Sequence, residues 1–395
     1  MNHRKFFSKT LPLLFSVSLA VLSIAAGQMQ GNPHTRAMPV AQELAAIPDL
    51  NRRLAKLEQE LNAASDQKSI TATTARYILD VTEEAKDTPT AFDGKGFGGP
   101  PGGPGGPGGP GGQGAPGAGG PGGPGGPGSG GPVTISHKYM DYIAGSGITM
   151  NFAAELTRAE GLATAIKTGH DPMAGVKGDV HLAYRSGLDG MLLPYRIYVP
   201  STYVKTRKYP LIVFLHGAMV DENSMMNDGV LQRAAEDRGY IVAAVNGRGP
   251  LSGYKKENGA VQDVLDVTAL MQKYYNIDAD RIFLTGHSMG GGGTWSIGMA
   301  NRDRFAALAV MAGTRSGSQD VDLDAAIASG PKIPILLTCG GKDTNMPCPP
   351  AIDAYDELKA AGYATKIVEY PDANHPAVFT SSIPEVFAWF DAYRK

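Results

Sequence analysis

Cysteine is scarce in this chain: Cys339 and Cys348 are the only two among 395 residues. That excludes a disulfide-dense scaffold. In an oxidising compartment the two could pair, closing a short loop worth about 2–3 kcal/mol in chain-entropy terms. The alternative is two unpaired thiols, one of them buried on a strand. A surplus of basic charge is also missing, with 36 Lys and Arg against 38 Asp and Glu. The mildly acidic balance lacks the electrostatic footprint of a nucleic-acid binder, so no nucleic-acid partner is expected. Beyond Gly27 no apolar stretch is long enough to span a bilayer, so no stable membrane insertion is expected after the first segment is removed.

What is present begins with "MNHRKFFSKTLPLLFSVSLAVLSIAAGQ". Arg4, Lys5 and Lys9 precede an apolar run from Leu11 to about Ala26, and small residues at Ala25 and Gly27 stand before Gln28. Basic region, apolar region and small-x-small site in that order read as a cleaved secretory signal over residues 1–27, and place the protein outside the cytoplasm, secreted or periplasmic. The rival is an uncleaved anchor, but the run is short and contains Pro12, whereas a span needs about 20 apolar residues. No cysteine follows it, which argues against a lipoprotein. With 42% apolar residues the remainder can build a large core and more than one domain.

Residues 94–132, "GKGFGGPPGGPGGPGGPGGQGAPGAGGPGGPGGPGSGGP", carry glycine at every third position from Gly102 to Gly126. A collagen triple helix would need that period, but most triplets hold a second glycine and one proline, which leaves the backbone too free to be pre-ordered. A disordered, solvated linker is the better reading. Before it lies a helical N-terminal segment, residues 28–93. There Ile47, Leu50, Leu54, Leu57 and Leu61 recur at spacings of 3 and 4, one apolar stripe on a helix that should pair with residues 69–86 in a hairpin. A second helical segment covers 133–177, with residues 136–167 as its helix and Phe152, Leu156 and Leu162 as core positions. The linker is either an insertion within one helical region or a boundary between two.

From about residue 178 the pattern changes. "LPYRIYVP" alternates Leu193, Tyr195, Ile197 and Val199, a strand with one buried face. "YPLIVFLHG", "GYIVAAVNGRG", "DRIFLTGHS", "RFAALAVMAG", "KIPILLTCGG" and "TKIVEYP" are apolar runs closed by turn residues, suited to strands buried on both faces. Helix-like stretches lie between them at 229–238, 261–275, 291–301, 350–361 and 383–393. Strands alternating with helices predict an α/β class with a mostly parallel sheet covered on both sides over residues 178–395, its site at the carboxyl ends of the strands.

The stretch "LTGHSMGGGGTW", residues 284–295, needs its own reading. A Walker loop needs a lysine followed by Ser or Thr, which is absent, and the spacing fails the dinucleotide fingerprint. Strand, then Gly286-His287-Ser288-Met289-Gly290, then helix is the G-x-S-x-G nucleophile elbow, in which glycines let strand, turn and helix approach. A serine hydroxyl needs a base to take its proton and an acid to hold that base. His375 is the only histidine after His287, and it follows the last strand. Asp343 follows the strand before and is preferred as the acid to Asp372, which lies three residues from the histidine in the same turn. For the oxyanion, Met289 N–H follows from position, and the loop "LHGAMVDENS" offers Ala218 N–H, with His216 and Gly217 shaping it. His287 is expected simply to flank the serine.

Two acidic clusters are set aside. Asp320, Asp322 and Asp324 imitate a calcium loop, but Ala325 and Pro331 occupy its required Gly and Glu positions, so a helix start or solvated loop is expected. Asp263 and Asp266 of "DVLD" are expected on the solvated face of a helix.

Together "YPLIVFLHG", "IDADRIFLTGHSMGGGGTW", "GGKD" and "NH" resemble the α/β-hydrolase superfamily, nearest to secreted esterases and peptidases related to the prolyl oligopeptidase catalytic domain and to feruloyl, acetylxylan and polyhydroxyalkanoate esterases. The resemblance covers residues 178–395. It implies Ser288 as nucleophile, His375 as general base and then acid, Asp343 as the orienting acid, and neither metal nor organic cofactor. Residues 28–170 match none of those relatives, and the absence of a propeller lowers the peptidase reading. A serine esterase is expected, with an open cleft for small-molecule, bulky or polymer-linked esters, because residues 314–331 are too short for a large lid. The alternatives are a serine peptidase and a non-catalytic binding protein on a hydrolase core.

Overall fold

The computed structural model describes residues 38–89, 150–315 and 320–395. The signal-like segment, the Gly/Pro-rich stretch and residues 136–149 of the expected second helix lie outside the described residues.

The chain from residue 178 onward is built on one sheet of eight strands: β1 Gly178–Arg185, β2 Leu192–Val199, β3 Tyr209–Leu215, β4 Ile241–Val245, β5 Ile277–His287, β6 Ala307–Met311, β7 Ile335–Gly340 and β8 Thr365–Tyr370. Their spatial order is β1-β2-β4-β3-β5-β6-β7-β8. The hairpin β1–β2 pairs antiparallel, as does β2 with β4, and every later pair is parallel. Apolar runs fill β3, β4, β6 and β7 because both of their faces are covered, and every residue of these four strands is buried. The expectation of two buried faces fails for β8. It is the edge strand, its side chains exposed or half-buried, and Lys366 and Glu369 in "TKIVEY" mark that edge.

Helices α1 Val40–Ala45, α2 Leu50–Asn62, α3 Ile70–Asp87 and α4 Phe152–Lys167 precede the sheet. The apolar stripe is interrupted at its start: Ile47 lies in a turn, and Asp49 is left-handed (φ 53°) just before α2 begins. Leu54, Leu57 and Leu61 then face α3 and α4 in a core that also takes Ala183 of β1 and Leu192 of β2. The helices α3 and α4, which flank residues 90–149, thus share one core, and the described residues fall in a single compact unit.

Five helices accompany the later strands: α5 Val230–Arg238, α6 Ala260–Tyr274, α7 Met289–Ala300, α9 Pro349–Ala360 and α10 His375–Asp391, with the short α8 Leu323–Ala328 between β6 and β7. One face of the sheet packs Leu211, Val213 and Leu215 with Val264, Val267 and Trp295. The other packs Ile212 and Phe214 with Leu231, Phe387 and Phe390. The last helix starts eight residues earlier than its apolar pattern suggested. Pro376 falls in its first turn, where the missing N–H has no partner to lose, and Pro384 lies within it.

Candidate active site

Ser288 sits between the end of β5 and the start of α7 with φ 57° and ψ −117°, a conformation that L-residues avoid. Its N–H donates to Met311 O at the end of β6 (2.9 Å), and its carbonyl accepts from Gly292 N–H (3.1 Å), so both sides of the turn are tied down. The glycines permit the close approach. A Cβ on Gly290 would lie 2.1 Å from Leu215 O, and one on Gly286 would lie 2.3 Å from Gly290 O.

The other two residues arrive from neighbouring strand ends. Asp343 lies in the loop after β7, and His375 opens α10 beyond β8. The Ser288 hydroxyl donates to His375 Nε2 (2.8 Å), and His375 Nδ1–H donates to Asp343 Oδ2 (2.7 Å). This tautomer follows from the carboxylate, which only accepts. Asp343 Oδ1 accepts from the N–H groups of Asn345 (2.9 Å) and Met346 (2.8 Å), so the buried carboxylate is held by its own loop. Asp372, by contrast, is exposed and pairs with Lys342. A disulfide joins Cys339, on β7, to Cys348, at the start of α9, and encloses the Asp343 loop.

The loop after β3 completes the site. A Cβ on Gly217 would sit 3.4 Å from Ser288 Cβ, which puts this loop against the serine, and Ala218 beside it is exposed. The N–H groups of Ala218 and Met289 make no hydrogen bond among the described residues. The loop is anchored from behind: Tyr254 Oη accepts from His216 N–H (2.9 Å), and His216 Nε2 donates to Asn246 O (2.7 Å).

His287 does more than flank the serine. Its ring lies 4.7 Å from that of His375, centroid to centroid, and its Nε2–H donates to His375 O (2.9 Å). Burial, helped by the neighbouring His375, lowers its pKa to about 4, so it is neutral at working pH.

The acidic clusters part ways. Asp322 caps α8 by accepting from Ala325 N–H (3.0 Å), a helix start. Asp263 is not on a solvated face: it is buried and forms a two-bond ion pair with Arg248, which follows β4 and also meets Ser186 and Asp189 of the β1–β2 turn. The helix period placed Asp263 correctly on α6 but could not reveal a partner from a distant loop. Among the described residues no group of three or more His, Cys, Asp or Glu could hold a metal ion, and no helix is long and apolar enough to cross a membrane.

Residues 250–388, which include Ser288, Asp343 and His375, match the model of the dienelactone hydrolase family. The chain has the α/β-hydrolase fold. The chain is similar to a bifunctional acetylxylan esterase/xylanase of Neocallimastix patriciarum, with 30% identity over 121 residues, 30% of this chain and 17% of that one. Among solved structures it is similar to a thermostable esterase (25% identity, TM-score 0.46, 55% of this chain and 63% of that one). It is also similar to a ferulic acid esterase of Anaeromyces mucronatus (18% identity, TM-score 0.47, 55% and 93%). The chain spans less than two thirds of the length of the first two.

Proposed function

We propose that this α/β-hydrolase is a secreted serine esterase in which Ser288 is the nucleophile, His375 the general base and then acid, and Asp343 the group that orients it. The observation that carries the reading is the continuous hydrogen-bonded line from Ser288 Oγ through His375 to the buried Asp343. Ser288 Oγ attacks the ester carbonyl carbon while His375 Nε2 takes its proton. The developing oxyanion accepts from the Ala218 and Met289 N–H groups, each typically worth about 3–4 kcal/mol of barrier. His375 returns the proton to the leaving alcohol oxygen, which departs and leaves an acyl-serine. Water, deprotonated by His375, then releases the acid and restores the serine.

Carboxylic esters are favoured because the resemblance to an acetylxylan esterase/xylanase points to them. Bulky or polymer-linked esters are favoured because the described part of the β6–β7 connection holds only the six-residue α8, too little for a lid. Export is supported by the signal-like residues 1–27 and by the disulfide, which suits an oxidising compartment. The test is hydrolysis of p-nitrophenyl esters, acetate to octanoate, by the mature protein and by Ser288→Ala. Activity confined to the first supports the esterase. Turnover of peptide amides but not esters would replace it with a peptidase, and no turnover of either with a binding protein.

A further inference from the structure

The loop that carries Ala218 is not self-supporting. Met219 has φ 68°, a strained value for a side chain of its size, so the bend must be imposed by what surrounds it. The loop's near end is held by His216, whose Nε2 donates to Asn246 O. Its far end is held by Glu222, whose carboxylate is buried and accepts three hydrogen bonds: from Asn246 Nδ2 (2.7 Å), from Asn223 Nδ2 (3.0 Å) and from His181 Nε2 (2.8 Å). Asn246 therefore grips both ends of the loop, through its backbone oxygen and its side-chain amide. Burial alone would push the Glu222 carboxyl up, but the bonds and charge from His181, with the Asn246 bond, bring it below its ordinary value, so the group is a carboxylate.

His181 leads out of the site. It lies on β1, the strand on which the N-terminal helices rest. Tyr77 of α3 meets its ring edge-on, with centroids 5.9 Å apart, and Arg158 of α4 donates to its carbonyl oxygen (2.7 Å). Two further bonds fasten α3 to the same strand: Thr73 Oγ1 donates to Ala183 O (2.6 Å), and Ala183 N–H donates to Thr74 Oγ1 (3.0 Å). A side chain bonded on one side to a buried carboxylate, met on the other by Tyr77 of α3, and carried on a strand that α3 and α4 both fasten has little freedom to move.

We infer that Glu222 and His181 are positioning residues that pre-set the Ala218 loop, and that the N-terminal helices act on catalysis through them. This rests on Ala218 being an oxyanion donor. A donor displaced by a fraction of an ångström still lets substrate bind but stabilises the transition state less, so the effect falls on kcat.

The experiment uses the full mature chain and p-nitrophenyl acetate, with kcat and KM measured for Glu222→Ala, His181→Phe and His181→Gln. The inactivation rate by a fluorophosphonate is read alongside, and near-UV circular dichroism and thermal midpoints verify the fold. His181→Phe keeps a ring against Tyr77 but cannot donate to Glu222, whereas His181→Gln can. The expected result is a fall in kcat of about ten- to a hundred-fold in Glu222→Ala and His181→Phe, with KM within about two-fold, inactivation slowed in parallel, and substantial recovery in His181→Gln. Unchanged kcat in folded His181→Phe overturns the inference, as does an equal loss in His181→Gln. If Glu222→Ala does not fold, the half-buried His181 pair decides alone. Ser288→Ala separates the two levels: hydrolysis that survives in it removes the esterase reading itself, whereas a Ser288-dependent enzyme indifferent to His181 removes only the loop inference.

Discussion

His287 and His375 are joined back to front: the imidazole of the residue before the candidate nucleophile donates to the backbone oxygen of the candidate base, at 2.9 Å. The bond ties the β5 turn to the first residue of α10, so the serine and the histidine are held by one contact as well as by their own.

That buried ring makes stability depend on pH. Its folded pKa is about 4, below the ordinary 6.5, so between these values the unfolded chain binds the proton and the folded one does not. The stabilisation is fully present above pH 6.5 and is lost as pH falls through 4, by an amount up to about 3 kcal/mol. Denaturant midpoints of the wild type and His287→Gln at pH 7.5 and 4.5 should show the wild type losing more on acidification. An equal or opposite slope would contradict the burial argument.

The two aspartates near His375 should behave differently. Asp343→Asn is expected to lower kcat by about 10⁴-fold, since the amide cannot hold the imidazole in the required tautomer. Asp372→Asn, altering an exposed pair with Lys342, is expected to leave kcat within about two-fold. Steady-state kinetics on one p-nitrophenyl ester would exchange their roles if the larger loss came from Asp372.

Removing the disulfide should affect both stability and turnover. Cys339 and Cys348 are separated by nine positions, and opening such a loop costs about 2–3 kcal/mol in chain-entropy terms. Because Asp343 lies inside it, Cys348→Ser or reduction should lower kcat more than it raises KM. A stability loss with untouched kcat would show that the loop holds Asp343 without the bond.

Gly290→Ala should fail outright. Its new methyl would meet Leu215 O, a backbone atom with nowhere to go, so β3 and α7 could not both keep their places. Soluble yield and ester turnover are expected to collapse together, and a folded, active variant would contradict the close-approach account.

The parts of this architecture visible in the sequence were those encoded locally. Apolar runs closed by glycine mark the inner strands, and G-x-S-x-G between a strand and a helix marks the turn at Ser288, because each depends on neighbours in the chain. Burial was less legible where the partner is remote. Asp263 has the spacing of a surface residue, and only Arg248, delivered by a loop with φ 69°, makes its burial possible. The Glu222 cluster gathers His181, Asn246 and Tyr77 from separate elements, and no spacing could announce it. The edge position of β8 was written in Lys366 and Glu369, a polar signal outweighed by the apolar residues around it.

The most direct test of Ser288 as nucleophile is intact-protein mass spectrometry after treatment with a fluorophosphonate, followed by peptide mapping. The account predicts one adduct per chain, located on Ser288, absent from Ser288→Ala and formed more slowly in His375→Ala. No adduct, or one that persists in Ser288→Ala, would contradict it.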